Sequence, residues 1–456
     1  MCGIAAVYGN QDASNLVYLC LYALQHRGQE AAGIVSCNGE RLHIIKDFGL
    51  VSEVFDTQEK FGILKGNIAV GHVRYSTHGE ATLLNVQPLV FNYKGHNIAI
   101  AHNGNLVNLK KLKKELEDNG AIFQTTSDTE FIIHLMAQSK GDTIEERLIN
   151  ALRRVEGAYS LLIIVDDRLF AIRDKYGFRP LCMGKLGNSV VFASETCAFD
   201  LIGANYERDV YPGEMIIVDS TKVRSIQFEK PIPHYCIFEY VYFSRPDSKI
   251  FGENVDKARR KLGKISALES PVKNADIVFS IPDSSNTIAL GYAQKSGIRF
   301  DIGLIRNHYI GRTFIHPHQT IRDFSVKVKF NTIAGIIKDK VCVVVDDSIV
   351  RGTTLKKLVS LIKKENPKEV HIRIGSPPIR FPCYYGMDFP SQEELIAFKK
   401  TVNEIKEYLE VDSLEYLSVK GLLDAMSFPP EDFCTACFTG DYIIPITEYK
   451  KSKEDI

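Results

Sequence analysis

Short apolar runs separated by polar turns occupy the first 230 of the 456 residues. Those at 98–101, 160–165, 169–172, 189–193 and 214–218 are of strand length and rich in β-branched or aromatic side chains. Ahead of them, Leu16, Leu19, Leu21 and Leu24 recur at helical spacing. The cluster at 126–130, Thr-Ser-Asp-Thr-Glu, reads as an N-cap for a helix burying Phe131, Ile132 and Leu135. Beyond Pro231 and Pro233 strands alternate with helices. A strand at 277–281 precedes a polar turn and a helix over 289–294, and a strand at 298–304 follows. A strand at 341–345 precedes a helix carrying Leu355, Leu358, Val359 and Ile362, and Val370, Ile372 and Ile374 alternate as the next strand. Leu395, Phe398, Val402, Ile405 and Leu409, after a Ser391/Glu394 capping box, predict one amphipathic helix. The pattern gives two domains, 2–230 and 231–456. The second is a parallel α/β sheet with its ligand at the carboxyl ends of the strands.

Composition narrows the class without naming a chemistry. The length supports two cores. The 45% hydrophobic and 25% charged fractions are those of an ordinary soluble protein. A formal net charge of zero recommends neither nucleic acid nor an anionic membrane as partner. No apolar run approaches the roughly 20 residues of a membrane span. The start, MCGIAAVYGN, lacks the basic and long apolar regions of a secretory signal. The expected compartment is the cytoplasm, where the ten cysteines stay reduced and free to act as nucleophile, metal ligand or core filler.

The most informative stretch is VCVVVDDSIVRGTT, 341–354. It reads as a strand, an acidic pair, a small hydroxyl-rich loop and a helix start. Backbone N–H groups with the Ser348, Thr353 and Thr354 hydroxyls suit a phosphate, and Arg351 and Gly352 complete the loop. Asp346 and Asp347 suit sugar hydroxyls and a hard cation such as Mg²⁺; a solvated strand cap is the plainer alternative for an isolated acidic pair. The long polar segment between Arg306 and Asn331 carries Arg312, Arg322, Lys327 and Lys329, and reads as a lid.

A second chemistry sits at the other end of the chain. Removal of Met1 would place a thiol and an α-amine on Cys2, an arrangement in which the amine serves as base to its own side chain. Polar clusters follow at 25–30 (QHRGQE), 71–77 (GHVRYST) and 102–105 (HNGN). Amide hydrolysis by a thiolate needs an oxyanion hole, which the Asn103 side chain and the Gly104 backbone N–H could form. A glutamine substrate needs a cation for its carboxylate, for which Arg74 is the candidate. It also needs a carboxylate for its ammonium, for which Asp128 is the candidate; capping alone is the alternative role for Asp128. Four further cysteines, Cys236, Cys383 and the Cys434/Cys437 pair, suit Zn²⁺, an iron–sulfur cluster, or no metal.

In this order, Cys2-Gly3-Ile4, QHRGQE, GHVRYST, HNGN and TSDTE resemble the glutaminase domain of the class II, N-terminal-nucleophile amidotransferases. The 341–354 loop resembles the signature of the phosphoribosyltransferases, which bind 5-phosphoribosyl-1-pyrophosphate (PRPP). The two halves together are similar to the glutamine PRPP amidotransferase family, and the cysteine contexts to its cluster-bearing, bacillus-type branch. The resemblance implies a four-layer αββα sandwich followed by a type I phosphoribosyltransferase domain. It implies Cys2 as nucleophile, Arg74 and Asp128 as glutamine binders, and Asn103 and Gly104 as oxyanion hole. It further implies one Mg²⁺ near Ser284, Asp346 and Asp347 and one [4Fe–4S] cluster on the four cysteines. Ammonia from glutamine would pass through an internal channel to C1 of PRPP, giving 5-phosphoribosylamine, the first step of purine synthesis. Purine nucleotides as feedback inhibitors and a homotetramer are further implications. The 341–354 loop argues against two other class II amidotransferases, glucosamine-6-phosphate synthase and asparagine synthetase, whose acceptor domains do not use one. A PRPP-sensing DNA-binding regulator would carry a basic patch or helix-turn-helix and would not need Cys2.

Overall fold

The pleat of the strands explains the first half of the chain. In the computed structural model, which describes residues 1–75, 82–307, 329–389 and 391–446, thirteen strands build two antiparallel sheets. They are β1 (Gly3–Tyr8), β2 (Ala31–Cys37), β3 (Leu42–Phe48), β4 (Ile68–Arg74), β5 (Leu89–Tyr93), β6 (His96–Leu106), β7 (Gly157–Val165), β8 (Arg168–Arg173), β9 (Cys182–Leu186), β10 (Ser189–Ala193), β11 (Asn205–Asp209), β12 (Glu214–Val218) and β13 (Val223–Gln227). The sheet orders are β11-β9-β10-β1-β4-β2-β3 and β13-β12-β8-β7-β6-β5. Along β1, Ile4, Ala6 and Tyr8 enter the core between the sheets, where they join Ala99, Ala101, Leu162 and Ile164. Ala5 and Val7 face the opposite way, toward the helix Ala13–Ala23. That helix lies so close to β4 that a Cβ on Gly71 would stand 2.5 Å from the Val17 side chain. The outer face of the second sheet is covered by helices Leu109–Asp118, Thr129–Gln138 and Ile144–Leu152. The layers are helix, sheet, sheet, helix, the expected αββα sandwich.

The second half is built on four parallel strands in the order Ile277–Ser280, Val341–Asp346, Glu369–Ile374, Ser413–Tyr416. Because both faces are covered, the central strand reads as a continuous apolar run. Val343 and Val345 pack toward helices Val255–Glu269 and Asn286–Ser296, and Cys342 and Val344 toward helix Thr353–Lys363. The first two helices cross on glycine: a Cβ on Gly263 would lie 1.8 Å from the Ile288 carbonyl oxygen. Among the described residues no helix is long and apolar enough to cross a membrane.

Two expectations need correction. The strand read at 298–304 is a single bridge, Val278 to Phe300, followed by the strand Leu304–Arg306, which pairs with Phe330–Thr332. The single helix read through 395–409 is broken. A turn at Gln392–Glu394 leads to Ile396–Lys399, Lys400 is extended, and a new helix runs Val402–Leu409. The reciprocal capping box belongs to Thr401 and Glu404, whereas the Ser391 hydroxyl makes no hydrogen bond. Thr401 caps the second segment with its own side chain and thereby separates the two. The strand Ser413–Tyr416 carries no alternation strong enough to announce it.

Candidate functional site

Pairing of β1 with β4 sets Gly3 opposite Val73, so Cys2 leaves the sheet beside Arg74 and Tyr75. The Cys2 Sγ lies 3.7 Å from the Tyr75 carbonyl oxygen. Burial raises the thiol pKa, and the neighbouring terminal ammonium and Arg74 oppose that rise while Asp128 adds to it. The α-amine of Met1, with burial outweighing its neighbours, is held at about 5. Asp128 precedes helix Thr129–Gln138, yet its carboxylate makes no capping bond. It accepts the Leu106 N–H (3.1 Å) and lies 3.4 Å from His102 Nδ1. Capping alone is therefore not its role.

Asn103 and Gly104 stand on β6, which faces β1 and β4 across the sandwich. Asn103 is fully buried, and neither polar atom of its side chain has a partner. A buried amide in that condition costs stability unless a ligand completes it. Gly104 admits no side chain, since a Cβ would meet the Ala158 carbonyl oxygen at 2.0 Å. His72, also buried without partners, is pushed down to about 3 by burial and by the charges of Arg74 and His102, and is therefore neutral.

The acceptor site opens at the carboxyl ends of the parallel strands, in a cavity of about 850 Å³. Asp346, Asp347, Ser348, Arg351, Gly352, Thr353 and Thr354 all line it, as does Ser284. Gly352 takes the left-handed conformation (φ 74°) and turns the loop into helix Thr353–Lys363. The Ser284 and Ser348 hydroxyls donate to Asp347. Burial raises the pKa of both carboxyls, and repulsion from Asp347 raises Asp346 further. A hard divalent cation would offset that repulsion, so the residues fit Mg²⁺. The Arg351 guanidinium is turned to Glu394, 2.8 Å away. Of the basic lid, Arg312, Arg322 and Lys327 lie outside the described residues, while Lys329 lines the cavity.

Sequence reasoning missed two sets of cavity residues. Arg259, buried, donates to the carbonyls of Tyr240 and Ser244 and exerts its charge on Asp347. Met1, His26 and Tyr75, from the first domain, also line the cavity, so its wall reaches the surroundings of Cys2.

The four remaining cysteines converge. Cys236 and Cys434 sit side by side in a two-residue parallel ladder, and all four line one small cavity of about 20 Å³ with Phe178, Arg179 and Tyr385. Burial pushes the Cys236 thiol to about 11, and burial with mutual repulsion carries Cys434 and Cys437 higher. Among the described residues no three metal-ligating side chains stand close enough to hold an ion as they are. The donor set, four thiols without histidine, fits a four-thiolate cluster or zinc once drawn together.

Two domain families match the chain: a glutamine amidotransferase domain over residues 72–200 and a phosphoribosyl transferase domain over 253–374. Amidophosphoribosyltransferase 2, chloroplastic, of Arabidopsis thaliana is 52% identical over 98% of this chain and 80% of its own length. The amidophosphoribosyltransferase of Bacillus subtilis is 46% identical over 97% of this chain and 94% of its own. The solved structure of glutamine PRPP amidotransferase from B. subtilis, complexed with ADP and GMP, superposes with a TM-score of 0.93 at 45% identity, covering 99% of each chain.

Proposed function

The chain belongs to the amidophosphoribosyltransferase family, and from that premise we propose how its two sites divide the reaction. The enzyme is a pentosyltransferase that uses glutamine to aminate PRPP at C1, the first step of purine synthesis. We assign glutamine hydrolysis to residues 2–230 and phosphoribosyl transfer to residues 231–456.

In the first site Arg74 holds the glutamine carboxylate and Asp128 its ammonium. Once Met1 is removed, the α-amine of Cys2 takes the thiol proton and Sγ attacks the side-chain amide carbon. The Asn103 amide and the Gly104 N–H receive the developing oxyanion, which would give the orphaned Asn103 donor its partner. In the second site Ser348, Gly352, Thr353 and Thr354 present donors to the 5-phosphate, and Arg351 leaves Glu394 to join them. Asp346 and Asp347 take the ribose hydroxyls and, with Ser284, would hold the Mg²⁺. When bound, it would supply positive charge against that of the pyrophosphate.

One observation carries this reading. A single cavity is lined by Tyr75, whose carbonyl faces the Cys2 thiol, and by Asp346 and Asp347. We propose this shared cavity as the route by which ammonia released in the first domain reaches the second. The four cysteines we assign to a [4Fe–4S] cluster, one per subunit, with bound zinc as the outcome that would refute it. Iron and sulfide assays on the purified protein decide between them. Purine nucleotides, as in the ADP and GMP complex of the B. subtilis enzyme, are proposed feedback ligands, and the assembly a homotetramer in the cytoplasm.

The test is a pair of assays on the purified enzyme. Glutamine hydrolysis should rise when PRPP and Mg²⁺ are added, with pyrophosphate released in step. Hydrolysis indifferent to PRPP, with no pyrophosphate formed, would overturn the assignment.

A further inference from the structure

The backbone of Cys2 is held by a residue that both domains hold in turn. Arg27 Nε donates to the Cys2 carbonyl oxygen (3.0 Å). The guanidinium is fully buried and meets two carboxylates, Glu195 from the first domain and Glu239 from the second. Glu239 receives it on both oxygens, at 2.8 and 3.2 Å, and its Oε2 also accepts the Ser244 hydroxyl at 2.7 Å. Arg179 Nη1 stands 3.5 Å from Glu239 Oε1, and the Phe243 ring lies 4.8 Å from the Arg27 guanidinium carbon. Glu195 is bound from the second domain as well, by the Ser248 hydroxyl (2.7 Å) and the Arg245 N–H (2.9 Å).

The second-domain groups in this network belong to one short segment. Glu239–Phe243 is a helical turn, and Ser244, Arg245 and Pro246, which follow directly, line the acceptor cavity. Arg259 fixes the same turn from below through the carbonyls of Tyr240 and Ser244. The path from cavity wall to Cys2 is therefore short and polar: Ser244, Glu239, Arg27, Cys2 carbonyl. Each link is a hydrogen bond, and no link crosses solvent.

We propose that Glu239 is a positioning residue for the amidase, aligning Cys2 through Arg27 according to the state of the acceptor cavity. This rests on the assignment of glutamine hydrolysis to Cys2 and of PRPP to the cavity. A bidentate carboxylate fixes the plane of a guanidinium as well as its position. A displacement of the 239–246 segment on PRPP binding would thus rotate the group that holds the nucleophile's backbone. Glu239 touches neither substrate, so its effect is on alignment alone.

The variants are Glu239→Gln, which keeps the shape and removes the charge, and Glu239→Asp, which keeps the charge and shortens the reach. Four rates are measured on each full-length enzyme: ammonia-dependent phosphoribosylamine synthesis, glutamine-dependent synthesis, and glutamine hydrolysis without and with PRPP. In Glu239→Gln the stimulation of hydrolysis by PRPP should fall about tenfold, with ammonia-dependent synthesis within about twofold of the parent. Glu239→Asp should recover part of the stimulation. Stimulation equal to the parent's in Glu239→Gln would overturn the proposal. So would a parallel fall of ammonia- and glutamine-dependent synthesis, which marks a structural role only. If Glu239→Gln does not fold, Ser244→Ala, which removes one neutral hydrogen bond from the same carboxylate, should weaken stimulation in the same direction; an unchanged value there would overturn the proposal. A parent enzyme that PRPP does not stimulate would instead refute the assignment on which the proposal rests.

Discussion

The two sites solve opposite problems of preparation. The amidase site is walled by paired strands: Asn103 is fully buried, Gly104 is pressed against the Ala158 carbonyl, and Arg74 and Asp128 are nearly so enclosed. The acceptor site is a loop and a helix start at the mouth of a broad cavity, with Thr353 and Thr354 exposed. A glutamine side chain brings no charge to its reacting carbon, so the protein must hold the oxyanion donors in place beforehand. PRPP carries its own charges, and the loop at 346–354 meets it from an open cavity.

The comparison breaks most sharply at Cys2. Replacement by alanine should lower glutamine-dependent synthesis by about 10⁴ to 10⁶ and leave ammonia-dependent synthesis within about twofold, measured as phosphoribosylamine formed from each nitrogen source. An equal loss with ammonia would show that the two sites are not separable. Asn103→Ala should lower kcat for glutamine by about 10² to 10³ with little change in KM, because its donor is used only once charge develops. The acceptor site should answer to pH instead. Burial holds the Asp346 and Asp347 pKa values above the ordinary carboxylate range, and repulsion from Asp347 raises Asp346 further. Their protonated forms are therefore favoured as pH falls, and a cation must displace the protons. The Mg²⁺ concentration giving half-maximal ammonia-dependent synthesis should rise about tenfold per pH unit below the raised pKa, and Asp346→Asn should flatten that slope. Last, Thr401→Ala should cost about 1 kcal/mol of stability in urea unfolding and move neither activity, since its capping box lies away from both sites.

The residues that announced function in the sequence are those whose partners are chain neighbours. Asp346 to Thr354 form a continuous loop, and the strand and helix around it occupy Val341–Asp346 and Thr353–Lys363, where periodicity placed them. The 214–218 run, alternating between two faces, forms β12 with those bounds. Arg27 lies within the polar cluster at 25–30, but its carboxylate partner Glu239 is 212 positions away and sits in a run of aromatic residues. No local pattern distinguishes such a carboxylate from a surface one. The same holds for Arg259, which lies on a helix whose charged residues otherwise face solvent. The apolar spacing continues through the break at Lys400, so only the competing capping box at Thr401 marks it.

The two-residue ladder between Tyr235–Cys236 and Phe433–Cys434 joins the entrance of the second domain to a segment almost 200 positions later. From the same late region, the Tyr384 carbonyl accepts the Asn105 side-chain N–H at 2.9 Å, and Gly386 lies against Gly104. The wall behind Asn103 and Gly104 is thus laid by residues of the second half of the chain. The pocket around Asn103 and Gly104 is therefore complete only when both halves of the chain are folded together, and a chain ending before residue 384 lacks that part of its wall.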